Sequence, residues 1–134
     1  INLVMNKRLL TAGALFAASA VMLGAFGAHA LKVRLTTEML QVFETGVRYQ
    51  FYHGIALLVC GLLYASFPVK QMKIAGSLFI AGIVLFSGSL YAISLLSMSG
   101  GSIGPAGILT PIGGLLFIMG WLFVVLGVNK RHVL

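Results

Sequence analysis

Residues 9–28 read LLTAGALFAASAVMLGAFGA, twenty positions without a charge, directly behind Lys7 and Arg8. At 1.5 Å per residue a helix of this length crosses the roughly 30 Å hydrocarbon core of a bilayer. A soluble helix keeps its apolar residues on one stripe, whereas here they run all round, with Thr11 and Ser19 as the polar exceptions. Outward along the chain, residues 47–67, 74–95 and 111–128 have the same character, each free of charge through its middle. Composition agrees. Of 134 residues, 60% are hydrophobic and 8% charged, too little polar surface for a water-soluble domain and too apolar for disorder. The single Cys60 excludes an intrachain disulfide framework. The expected fold is all-α: one polytopic membrane domain over residues 1–134, with four transmembrane helices in a bundle and an amphipathic outer-face helix between the first two.

Nine Lys and Arg oppose two acids. In a soluble protein that would suggest nucleic acid; here the cations read as caps on membrane spans and no nucleic-acid partner is expected. Lys7, Arg8, Lys70, Lys73, Lys130 and Arg131 share one side, against Lys32, Arg34 and Arg48 on the other, which predicts both termini in the cytoplasm. Lys7-Arg8, the apolar run and Ala28-His29-Ala30 also imitate a secretory signal, but the run exceeds the roughly 7–15 residues of such an apolar core. Met5-Asn6-Lys7-Arg8 reads as a natural start, with residues 1–4 upstream of it. Thr110-Pro111 reads as N-cap and first turn of the fourth span, whose positive dipole end could meet an anion.

The segment between the first two spans carries both acids. From Thr37 it reads as a helix capped by Thr36 or Thr37, with Gln41, Thr45, Arg48, Tyr49 and Tyr52 on one arc and Met39, Leu40, Phe43 and Val47 opposite. The expected arrangement lays residues 37–45 on the outer membrane surface, bends at Gly46, lets the same helix continue inward as the second span, and pairs Glu44 with Arg48 four residues on. Other non-apolar residues fall at the same level: His29, Gln50, His53, Ser87, Ser89, Tyr91, Thr110 and the accessible backbone of Gly113 and Gly114. This outer-face cluster, with Glu44, Arg48 and Tyr49, is the candidate binding site. Each member also has a structural explanation: belt tyrosines, hydrogen-bonded histidines, serines bonded to helix carbonyls. No metal-ligand spacing, nucleophile–base motif or carboxylate pair accompanies them, so no cofactor, metal or catalytic residue is expected. Trp121 reads as a lipid or packing contact.

Two sequence matches raise a duplication. Gly13-Ala-Leu15-Phe16-Ala-Ala18-x-x-Val21 is similar to Gly76-Ser-Leu78-Phe79-Ile-Ala81-x-x-Val84, and Gly54 with Gly61 is spaced like Gly113 with Gly120. Ala20, Gly24 and Ala28, and Gly113, Gly120 and Gly127, form small-residue rows, read as packing seams within the bundle or between protomers, leaving open a homo-oligomer or a membrane-protein partner.

Gly24-Ala-Phe-Gly-Ala-His-Ala-Leu31, Tyr49-Gln-x-x-His53, Phe86-Ser-Gly-Ser-Leu-Tyr91, and Thr110-Pro-Ile-Gly-Gly114 followed by Gly120-Trp121 together resemble the domain-of-unknown-function 423 family, small four-span bacterial membrane proteins. The resemblance covers nearly the whole chain from Met5 and implies the architecture and a location in the bacterial plasma (inner) membrane; it brings no activity with it. Three functions remain to be weighed: a non-catalytic accessory, assembly or lipid-interacting subunit; uncoupled permeation through an oligomer; and a quinone- or haem-binding redox subunit using His29 and His53. Ion-coupled transport is disfavoured because no ionisable group lies near midplane beyond His53.

Overall fold

The computed structural model describes residues 4–101 and 104–130. Four helical rods account for nearly all of them. The first is α1 (Lys7–Phe26), prolonged by a π-helical turn (Gly27–Leu31). The second is α2 (Thr37–Leu63); the third is α3 (Lys70–Gly82), a π-helical turn (Ile83–Ser87) and α4 (Gly88–Ser97); the fourth is α5 (Ala106–Asn129). Local chemistry explains several ends. Asn6 Oδ1 accepts from the Leu9 amide at 3.3 Å and Thr36 Oγ1 from the Met39 amide at 3.2 Å, each taking a donor that the first turn leaves unpaired. Glu38 lies in the first turn of α2, at the positive end of its dipole. Gly100, at φ 70°, takes the left-handed turn leaving α4 that other residues resist.

The first, third and fourth rods are long and apolar enough to cross a membrane. Their outer faces stay apolar: Leu15 is 65% exposed and Leu122 58%, and Val21, Met22, Leu115, Ile118 and Val125 join them. A surface of that kind suits lipid and not water. Between the rods, Leu57, Met72, Ala75 and Phe79 are fully buried, with Leu9, Ala56, Cys60, Ile83 and Phe117 around them. Leu31, Leu35 and Phe43 form a smaller apolar cluster at the other end.

The outer segment and the second span do form one helix, as expected: α2 runs unbroken from Thr37 to Leu63 through Gly46, which is buried beneath the Tyr91 ring. Several other expectations are corrected. Glu44 and Arg48 do not pair. Arg48 Nη2 donates instead to Thr45 Oγ1 at 3.0 Å, a shorter reach on the same face. The fourth helix starts at Ala106, not at Thr110, so Pro111 lies inside it. The ring is tolerated because it sits in the second turn, where its missing N–H loosens only the frayed start of the helix. Arg131, counted among the cytoplasmic charges, lies outside the described residues.

Gly113, Gly120 and Gly127 of the fourth span are buried within the chain, whereas in the first-span row Gly24 is half-buried and Ala28 exposed. Gly13 lies against the Gly54 carbonyl and Leu58, Gly61 against Leu10, Gly82 against Phe117, and Gly120 against Phe79. This packing makes the fourth-span row a seam inside the bundle. It also separates the two halves that the sequence matches had paired: Gly54 meets Gly13 and Ala17, whereas Gly113 meets Phe86, ten residues beyond the position that the match with Gly13 would require. The matched stretches therefore do not occupy equivalent contacts.

Candidate functional site

In lipid a buried polar group without a partner costs several kcal/mol, so each polar side chain among the rods should find one inside the bundle. Gln50 illustrates this. Its Nε2 donates to Phe16 O at 3.0 Å and Ser19 Oγ at 2.8 Å, and its Oε1 accepts from the Tyr91 hydroxyl at 2.8 Å, so one amide joins α1, α2 and α4. Ser87, at the end of the π-helical turn, donates to Gly46 O at 2.7 Å. Ser89 and Thr110 share a hydrogen bond across the α4–α5 seam.

His53 closes the remaining seam. Its Nδ1 lies 2.8 Å from Tyr49 O, an acceptor, and must therefore carry the proton. Nε2 is then a lone pair, and Trp121 Nε1 donates to it at 3.2 Å, joining α5 to α2. Phe117 stacks on the imidazole at 3.5 Å and 7°, and Phe79 packs at 5.4 Å. Both nitrogens and one face of the ring are thus engaged. Trp121→Phe is expected to cost about 0.6 to 1.7 kcal/mol in a detergent unfolding titration, the average and the upper end for single interhelical hydrogen bonds in membranes, and to shift the His53 ring-nitrogen NMR signals. An unchanged midpoint with unchanged signals would mean that the bond does not form.

Of the residues singled out in the sequence, Gln50, His53, Ser87, Ser89, Tyr91 and Thr110 come together with Tyr49 and Gly113 in this network. His29 does not. It is exposed in the π-helical turn after α1, whose Gly27 packs on Phe43. Phe43 is ten residues from His53, about 15 Å along α2. Glu44 and Arg48 lie outside as well, and Arg48 and Tyr52 instead border an apolar groove of about 350 Å³ between α1 and α2. Ser19, Phe79, Phe117 and the role of Trp121 were missed. Ser19 had a signal, as the only polar side chain in the middle of a charge-free run; Trp121 had one in its place beside Gly120.

Over the network, between α2 and α5, opens a groove of about 620 Å³. Tyr49, Phe86, Phe117 and Trp121 form its aromatic walls, Leu115 and Ile118 its rim, and His53 and Gly114 its floor. Tyr49 packs on Phe86 at 4.7 Å and Phe117 at 6.2 Å, so the walls brace one another.

An all-helical bundle with apolar outer faces and an internally satisfied polar network defines an integral membrane protein. The comparisons agree with that class: residues 23–114 match the family described as "Protein of unknown function (DUF423)". The chain belongs to that family. It is 42% identical over 124 residues to the UPF0382 membrane protein SAB0533 of Staphylococcus aureus, covering 92% of this chain and 97% of the relative. It is 43% identical over 119 residues to the UPF0382 membrane protein YwdK of Bacillus subtilis, covering 88% and 93%. The UPF0382 membrane protein SSP2132 of Staphylococcus saprophyticus is 45% identical over 118 residues, covering 88% and 93%. No solved structure matches the chain.

Proposed function

We propose that this protein is a non-catalytic accessory subunit of the bacterial inner membrane that holds a lipid chain in the α2–α5 groove. In this reading α2 is a fourth span. Gln50 and His53 lower its hydropathy, but both are buried and bonded inside the bundle, so neither has to face lipid. Lys7, Arg8, Lys70, Lys73 and Lys130, all at one set of helix ends, support cytoplasmic termini.

The observation that carries the reading is the aromatic groove above a hydrogen-bonded floor. Its polar floor group, His53, is already bonded on both nitrogens, which leaves a largely apolar slot whose other ionisable side chain is the Tyr49 phenol. An acyl chain fits such a slot better than a polar substrate does. A haem reading would need the lone pair that Trp121 takes, and His29 is too distant to be a second ligand.

Gly114→Leu tests it. A Cβ at Gly114 would have Phe86 ring atoms at 3.8 Å as its nearest neighbours, so a larger side chain fills the groove without meeting backbone. Native mass spectrometry of the wild-type protein is expected to retain bound lipid after mild delipidation, and Gly114→Leu to lose most of it while keeping the same helix content. Equal lipid retention by the two proteins, or none by either, would overturn the reading.

A further inference from the structure

The end of the bundle away from the cluster, where α1 and α3 begin and α2 finishes, carries a second groove of about 590 Å³. Lys7 and Arg8 from α1 and Lys73 from α3 stand around it, and Leu9 and Ile80 continue its wall toward the apolar middle of the bundle. Lys73 Nζ lies 5.2 Å from the centre of the Tyr64 ring, which draws that ammonium toward the groove. Asn6 caps the Leu9 amide alone, so the amides of Lys7 and Arg8 remain at the positive end of the α1 dipole beside the same cations.

Among the described residues no acidic side chain offsets this charge. The chain's two acidic side chains, Glu38 and Glu44, are both within the first eight residues of α2, toward the far end of that helix from Tyr64. No ion pair forms among the described residues. Positive charge that serves only to orient a span can be scattered along its flank; here it converges from two helices on one concavity, polar at the membrane surface and apolar below.

We infer that the groove among Lys7, Arg8, Lys73 and Tyr64 binds the phosphate headgroup of an anionic phospholipid, with an acyl chain lying along Leu9 and Ile80. The inference is independent of the α2–α5 groove, which lies at the other end and holds no cation. A cation near an anionic headgroup contributes about five-fold in affinity, so removing three should weaken binding about a hundred-fold.

The test uses purified protein in neutral detergent, where membrane orientation plays no part. Phosphatidylglycerol is titrated by native mass spectrometry against phosphatidylcholine and inorganic phosphate. The wild-type protein is expected to prefer phosphatidylglycerol, less so as salt rises. Lys7→Gln/Arg8→Gln/Lys73→Gln should lose that preference, and Lys32→Gln/Arg34→Gln, at the other end, should keep it. Equal binding of the two lipids, retention by the triple variant, or competition by inorganic phosphate at lipid-like concentrations would each overturn the inference. Should the triple variant not fold, a photoreactive phosphatidylglycerol on wild-type protein decides: labelling within residues 5–9 and 73–80 supports the site, and labelling confined elsewhere refutes it.

Discussion

Gly113→Ala is expected to leave little or no correctly folded protein, although it adds one methyl group. The new Cβ would overlap the backbone nitrogen of Phe86 and come within 2.8 Å of its Cα, on a rod pinned on its other side by the Ser87–Gly46 hydrogen bond. Backbone cannot rotate away as a side chain does. The seam between the third rod and α5 must open, which places the cost at or above the upper end of the roughly 1–3 kcal/mol typical of overpacking. Gly114→Ala is the matched control, since its Cβ would make ordinary contact with Phe86. Thermal stability in detergent, followed by size-exclusion chromatography, should separate the two neighbouring variants widely. Similar melting curves would show that the contact is looser than described.

Gln50→Leu is expected to be the most damaging polar substitution, at about 2–4 kcal/mol in an unfolding titration, because three interhelical hydrogen bonds disappear together. The Tyr91 hydroxyl then loses its acceptor inside the bundle, and an orphaned group costs more than the bond was worth. Gln50→Leu/Tyr91→Phe should therefore be no less stable than Gln50→Leu alone. A cost below about 0.5 kcal/mol for the single variant, or additive losses in the double, would contradict a shared network.

The membrane bundle was legible because hydrophobic run length is a one-dimensional property, and the cap at Thr36 because it depends on neighbours within one turn. Partnerships across seams were not. Thr110 beside Pro111 imitates a helix start, yet its hydroxyl belongs to Ser89 on another rod, and the helix begins four residues earlier. The spacing of Glu44 and Arg48 suits a pair, yet Thr45 lies closer to the guanidinium. Trp121 reads as a lipid contact until α5 is set against α2 and its indole reaches His53. The repeated glycines looked like a duplication, but helix register depends on the bulk of the opposing residue, here Phe86 against Gly113 and Gly13 against Gly54. In the candidate cluster the residue types could be read, but which of them touch could not.

The π-helical turn at Ile83–Ser87 amounts to one residue inserted into a regular helix, and so rotates α4 by about 100° relative to the face that α3 presents. Before the turn, Phe79 and Gly82 address α5; at its end and beyond, Ser87 and Tyr91 address α2. The rod works as two keys cut on one shank. Deleting Leu85 would restore an even helix and swing the Ser87–Tyr91 clasp away from Gly46 and Gln50, while every residue needed for it was still present. A relative that aligns with a one-residue gap in this turn should therefore be read as differently keyed, and its second half-rod matched to a different neighbour before any residue-by-residue equivalence is drawn.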